Sequence, residues 1–317
     1  MKHILKWLVL SGLLISCGQA QINTPTPTLP ATDTPTPPSN TPTNTPRPTL
    51  TPMSSSPTPT PTKVSMTNPA HTTTSPCVTL YHEGNAQVEL VSSGGSSTRD
   101  PPELVSSGGS RVLVDVYDSN LLSSPATGQD ALLTTHNNMD HIDVKFQGSF
   151  PGEQLMAQAG TLELPGVNIL GIASAHNAGD ELIAEGGTNY TFLVEMDGLR
   201  IAHFGDIGQD VLTPEQLSAL GEVDVAITQL VNPYSFMSVE NQKGFKLMDQ
   251  VNPLLIIPTH FDLDSAKLAV AKWQGLYNGQ PSVTICKSDL PGRTSIFFTG
   301  EKGETFADRL NLTKVDW

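Results

Sequence analysis

Cysteine is nearly absent from this chain: 317 residues hold only Cys17, Cys77 and Cys286. So few, so widely spaced, exclude a cysteine-rich zinc knuckle. Cys77 and Cys286 lie at the two ends of the stretch that can fold. In an oxidising compartment they are either bridged or two reduced thiols. Basic side chains are also in deficit, 17 against 31 acidic ones, for a formal net charge of −14. Nucleic-acid affinity comes largely from neutralising phosphates with Lys and Arg, so nucleic acid is excluded as a partner. The apolar run between Leu8 and Ile15 is too short for a comfortable membrane span.

What is present begins with an address. Lys2 and Lys6 precede Leu8-Val9-Leu10 and Leu13-Leu14-Ile15, the basic start and short apolar core of a secretory signal peptide. Leu14-Ile15-Ser16-Cys17 resembles the bacterial lipobox, in which the cysteine is diacylated and becomes the first mature residue. Residues 1–16 are therefore expected to be a lipoprotein signal peptide, with Cys17 anchoring the chain at the extracytoplasmic face of the bacterial membrane. An ordinary signal peptide cleaved a few residues later is the alternative. Between Pro25 and Pro61 lie 13 of the 26 prolines, interleaved with threonine. That composition has almost nothing to bury and lacks backbone donors, so residues 17–76 are expected to form a disordered, lipid-anchored stalk. At ~3.1 Å per residue its proline-rich part reaches on the order of 100 Å. Residues 77–317 remain for one domain, long enough for a core that needs no disulfides.

That domain opens with a repeat. Glu89-Leu90-Val91-Ser92-Ser93-Gly94-Gly95-Ser96 recurs as Glu103 to Ser110, offset by 14 residues. A single repetition is too little for a solenoid. Ser-Gly-Gly is turn chemistry, so one copy is expected to pair into a sheet and the other to bulge out as a loop. Short apolar runs follow at Val112–Val116, Ala131–Thr135, Val167–Ala175, Tyr190–Glu195, Leu199–Phe204, Val223–Leu230 and Leu254–Pro258. Helices are predicted over Thr213–Leu220, opened by Thr213-Pro214-Glu215, and over Ser265–Tyr277, capped by Asp264 or Ser265. Hairpins mixed with helix-linked strands predict an α/β fold of layered sheets covered by helices.

Four of these runs deliver a histidine or an aspartate where they stop. They lead to His136, His176, Asp206 and His260, and the first continues as His136-Asn137-Asn138-Met139-Asp140-His141. A rigid sheet aims such strand-end groups into a shared crevice. The ordered set resembles the metallo-β-lactamase superfamily, whose motif is His-x-His-x-Asp-His followed by a lone His, a Gly-Asp pair and a last His. Gly84-Asn85-Ala86, Val112 to Asp115, Leu199 to Asp206 and Pro258 to Phe261 point to the hydrolases similar to L-ascorbate-6-phosphate lactonase.

The resemblance implies a four-layer αββα sandwich of metallo-β-lactamase type and one or two divalent metal ions, zinc or manganese foremost. It assigns His136, residue 138 and His176 to one site, and Asp140, His141 and His260 to a second, with Asp206 bridging. Asp140 would also orient the shared hydroxide and accept its proton. The chain departs from the pattern at Asn138, where histidine is usual. A carboxamide is a weaker donor to zinc, so this site should bind less tightly, favour a harder ion or stand empty. The expected activity is metal-dependent hydrolysis of an ester, lactone or phosphate-type bond in a small molecule. The rivals are a catalytically weak or inactive metal- or ligand-binding surface protein and a mononuclear iron oxidoreductase, and loss of the second site-one histidine argues against the last.

Other residues carry weaker expectations. His203 lies inside an apolar run and reads as a core or supporting histidine. His82 reads as a surface or rim group, and His71 as solvated. The resemblance suggests Asp115 as a support for a metal histidine, with a turn aspartate as the alternative. It also puts Tyr234, Ser235 and Phe236 on a loop that reaches towards the site, either as substrate contacts or as ordinary loop.

Overall fold

The computed structural model describes residues 76–94, 109–180 and 188–316. The expected signal peptide, Cys17, the stalk, His71 and most of the second repeat copy lie outside the described residues.

Two sheets face each other. The first has six strands in the order β13 (Ser282–Cys286), β1 (Cys77–Gly84), β2 (Gln87–Ser92), β3 (Arg111–Val114), β4 (Ala131–Thr134) and β5 (Glu153–Met156). The second has nine: β15 (Thr313–Lys314), β12 (Gln274–Tyr277), β14 (Ser295–Phe298), β11 (Leu255–Pro258), β10 (Val225–Thr228), β9 (Leu199–His203), β8 (Asn189–Met196), β7 (Val167–Ser174) and β6 (Gly160–Leu164). The helices are α1 (Val144–Gln147), α2 (Pro214–Leu220), α3 (Lys243–Val251), α4 (Leu263–Lys272) and α5 (Gly300–Leu310). Among the described residues no helix is long and apolar enough to cross a membrane.

Strand alternation explains the layering, because neighbouring side chains point to opposite faces. Val112 and Val114 of β3 and Leu133 of β4 meet Ile201, Ile227 and Ile257 between the sheets. Their neighbours Ala202, Ala226 and Ile256 face the other way and pack under Leu220 of α2, Phe245 and Met248 of α3, and Ala266 and Ala269 of α4. On the far side of the first sheet, Leu113 and Leu132 are covered by Phe146 of α1, Phe150 and the neighbouring loops. This is the α/β sandwich that the motif order implies.

The first repeat copy runs into β2, and Ser92 N donates to Ser110 O at 3.2 Å where the second copy leads into β3. Cys77 and Cys286 are joined by a disulfide that ties β1 to β13. Helix α2 matches its prediction: Thr213 caps it in a reciprocal capping box with Gln216. The second predicted helix needs correcting at both ends. Its cap is Asp262, whose side chain accepts from Ser265 N at 2.8 Å. It stops at Lys272, and Gln274–Tyr277 instead forms β12, parallel to β14. Gly275 leaves room on this strand for Leu312 and Val270, since a Cβ there would lie 2.5 Å from Leu312 Cδ2 and 2.9 Å from Val270 Cγ2.

Candidate metal centre

Each predicted strand end delivers its residue to one place. β4 ends at Thr134, β7 at Ser174, β9 at His203 and β11 at Pro258; His136, His176, Asp206 and His260 follow within two or three residues. His136, His176 and Asp206 form one group of candidate metal donors, and His141, Asp206 and His260 a second; within each group the donor atoms lie within 4.8 Å of one another. The Asp206 carboxylate divides between them. Its Oδ2 is 3.8 Å from His176 Nε2, whereas Oδ1 is 3.6 Å from His141 Nε2 and 3.8 Å from His260 Nδ1.

Asp206 is held from several sides. Asn232 Nδ2 donates to its Oδ2 at 2.7 Å and also to Gln229 Oε1 at 2.8 Å. Asp206 N donates to Asn189 Oδ1 at 3.0 Å, and Ser235 Oγ donates to Asp206 O at 2.9 Å. The preceding Gly205 has φ +54° and no room for a Cβ, which would lie 2.5 Å from that of Thr135. His203 locks the same turn. Its Nε2 is 3.0 Å from Ala86 O, the donor geometry of a neutral ring, and its Nδ1 accepts from Gly205 N at 3.2 Å. His203 is thus a supporting residue.

Asp115 lies fully buried beneath the histidines. Thr135 N donates to its Oδ1 and Thr135 Oγ1 to its Oδ2, both at 2.7 Å, and His141 Nδ1 stands 3.0 Å from Oδ2. With the threonine proton committed to Asp115, His136 Nδ1–H must donate to Thr135 Oγ1, 3.0 Å away. Both histidines therefore turn Nε2 inward, oriented by a carboxylate directly or through one hydroxyl.

The charges follow from this arrangement. Burial, with the charge on His141, pushes His136 down to about 4, so it is neutral and ready to ligate. Burial opposes charge on His141 as well, but Asp115 and then Asp206 more than offset it and push its pKa up to about 10. Burial would raise Asp206, yet His141, His260 and His136 hold its carboxyl well below the usual carboxylate range. Burial lowers His260.

His136 Nε2, His141 Nε2, His176 Nε2 and Asp206 Oδ1 are buried without a hydrogen-bond partner. Leaving such groups unsatisfied costs ~1–3 kcal/mol each, so one orphan is unusual and four converging need a common partner. Divalent cations would supply it, and imidazole with carboxylate is a fitting donor set.

The remaining predicted residues sit at the edge. Asp140 is exposed, with Oδ2 4.0 Å from His141 Nε2, and its backbone carbonyl accepts from Asn85 Nδ2 at 2.9 Å. The Asn138 side chain is exposed, while its carbonyl accepts from His141 N at 2.9 Å. His82 lies outside both donor groups, its ring nitrogens 2.9 Å from Thr299 Oγ1 and Asn85 O. Sequence reasoning missed Thr135, Asn189 and Asn232. The Asn232-Pro233 turn signal was the one visible clue to the last.

A family model described as the beta-lactamase superfamily domain matches residues 103–260, which contain every candidate ligand. No curated protein matches the sequence. Among solved structures, the chain is similar to a metallo-β-lactamase superfamily protein from Thermotoga maritima, at 19% identity and TM-score 0.49 over 70% of this chain and 98% of that one. It is also similar to Igni18, a metallo hydrolase from Ignicoccus hospitalis, at 18% identity and TM-score 0.39 over 59% and 83%. The metallo-β-lactamase fold protein YhfI from Bacillus subtilis aligns at 12% identity and TM-score 0.42 over 69% and 96%.

Proposed function

We propose that this chain, whose fold is that of the metallo-β-lactamases, is a metal-dependent hydrolase that cleaves an ester, lactone or phosphate-type bond in a small molecule. The observation that carries this reading is the pair of donor groups sharing Asp206, with their buried donor atoms unsatisfied. His136, His176 and Asp206 would hold one ion, and Asn138 would be an optional weak fourth donor. His141, His260 and Asp206 would hold a second, with Asp140 Oδ2 4.0 Å from His141 Nε2. Zinc and manganese suit these donors. When bound, such ions polarise the scissile bond and lower the pKa of the attacking water.

The chain's own residues do the rest. Asp140, exposed beside His141, accepts the proton of that water. Asn232, Asn189 and Ser235 keep Asp206 from turning, so the spacing between the two donor groups is set before substrate arrives. The resemblance to L-ascorbate-6-phosphate lactonase-like hydrolases makes a lactone the first substrate to try. The test is turnover of lactone, aryl ester and phosphoester panels by zinc- and manganese-loaded protein. Hydrolysis abolished by a chelator and by Asp140→Ala supports the reading, and no turnover of any panel with metal bound contradicts it. Asn138 in place of an imidazole favours a second reading, a surface protein that binds metal or ligand with little turnover; that protein would bind the same compounds without cleaving them.

The same proposal holds the domain outside the bacterial membrane through a lipid on Cys17, with residues 17–76 as its tether. The Cys77–Cys286 bridge supports an oxidising compartment. Palmitate labelling lost in Cys17→Ala would agree, and equal labelling of both chains would refute it.

A further inference from the structure

Large apolar side chains left in water mark binding surfaces when they cluster. Among the described residues five stand out: Tyr234 at 79% exposure, Met139 at 76%, Phe236 at 68%, and Val144 and Val211 at 61%. All five lie on segments that run out of the metal centre. Met139 is inside the loop from His136 to His141, and Val144 opens α1 just beyond it. Val211 follows Asp206 by five residues. Tyr234 and Phe236 flank Ser235, which is fully buried and bonded to the Asp206 carbonyl. The other exposed large apolar side chains, Leu121, Met156 and Leu268, are less exposed, at 38–44%.

The loop that carries the two aromatics is anchored from below. Asn232 and Met237 are buried and exchange both backbone hydrogen bonds, at 3.1 and 2.9 Å. Asn232 and Ser235 face inward to Asp206. Phe236 stands between buried neighbours at φ +49°, a conformation that disfavours a bulky side chain. The polar network around Asp206 uses neither ring. Backbone strain and apolar exposure therefore fall on the same residue, which is the pattern of a site held ready for a ligand.

We infer that the metal centre takes substrates carrying a sizeable apolar group, an alkyl chain or an aromatic ring, which packs on Met139, Tyr234 and Phe236 while its polar head reaches the metal ligands. The head rests on the hydrolase reading; the tail rests on the rim alone. The full chain, loaded with zinc, is titrated calorimetrically with methyl- to octylphosphonate. A fully buried methylene gives about four-fold in affinity, and one covered on a single side about two-fold. Octylphosphonate should then bind about 100-fold more tightly than methylphosphonate. Tyr234→Ser with Phe236→Gly, and separately Met139→Ser, should cut that ratio at least about tenfold, whereas Leu268→Ser should leave it unchanged. In parallel, the chelator-stripped chain should enhance anilinonaphthalenesulfonate fluorescence, and the same rim variants should lose it. Dye binding that depends on the rim, with no phosphonate binding to zinc-loaded protein, would sustain the rim and defeat the metal reading. A ratio near one, dye binding unaffected by the rim variants, or a dimer that those variants dissociate would overturn the inference.

Discussion

The Asp115–His141 pair offers the most discriminating perturbation. Asp115→Asn keeps the shape of the side chain, and asparagine tolerates the left-handed backbone found there, φ +52°. What changes is the charge 3.0 Å from His141 Nδ1. With Asp115, the His141 pKa is pushed up to about 10; without it, Asp206 alone still opposes burial and the pKa falls. A rise from about 6.5 to about 10, evaluated at pH 7, corresponds to about 4 kcal/mol for Asp115 and Asp206 together, of which Asp115 is the larger cause. The sign follows from each partner. The raised His141 contributes stability in full below about pH 6.5 and loses it as pH rises through about 10. The depressed Asp115 contributes above its ordinary range near 4 and loses it as pH falls through its lowered folded value. The metal-free variant should thus be less stable than the parent near pH 7 by at most about 4 kcal/mol, with the gap closing towards pH 10. Metal uptake reports the same pair independently. In the parent, an ion at the His141 group must expel a proton up to about pH 10, so log K should keep rising with pH above the point where it levels off in the variant, and more steeply than in the variant near pH 9. Competitive zinc titrations in buffers of differing ionisation enthalpy measure both slopes. Equal slopes would refute the protonation state assigned to His141.

Three further outcomes are expected. Asn232→Leu removes the hydrogen bond to Asp206 Oδ2 and leaves that oxygen and Gln229 without their shared donor. Metal affinity should fall about 10–100-fold, with partial recovery in Asn232→Gln, measured by chelator competition. Asn138→Ala should weaken the first metal less than about tenfold, because His136, His176 and Asp206 already give three donors, whereas His176→Ala should lose it, read by metal analysis after dialysis. Replacing Cys77 and Cys286 together by serine opens a loop of 209 residues. Denaturant unfolding should show a loss of about 2–5 kcal/mol with native metal content retained.

The ligand-bearing strand ends were legible because each couples a short apolar run to a polar residue where pairing stops. Leu132–Thr135 before His136 and Leu255–Thr259 before His260 show that signature locally. The end of α4 was not legible. Trp273 to Tyr277 continues a helical apolar spacing, and only its pairing with Ser295 to Phe298, distant in sequence, makes it a strand. β5 and β15 were missed because they stand at sheet edges, are short and expose most of their residues, so their apolar alternation is weak. At the metal centre, the order of His136, Asp140, His141, His176, Asp206 and His260 was readable as a motif. The division of Asp206 between two donor groups was not, since it depends on carboxylate orientation set by Asn232 and Asn189. An isolated asparagine has no periodicity or spacing that would reveal such a role.

The central claim is that two donor groups joined by Asp206 hold divalent metal. Metal content of the full chain, purified without chelator beside Asp206→Ala, tests it most directly. About two zinc or manganese ions per chain, with both lost or severely weakened in the variant, is the expected result. A chain that retains no metal after reconstitution, or one whose metal content is indifferent to Asp206→Ala, would contradict it.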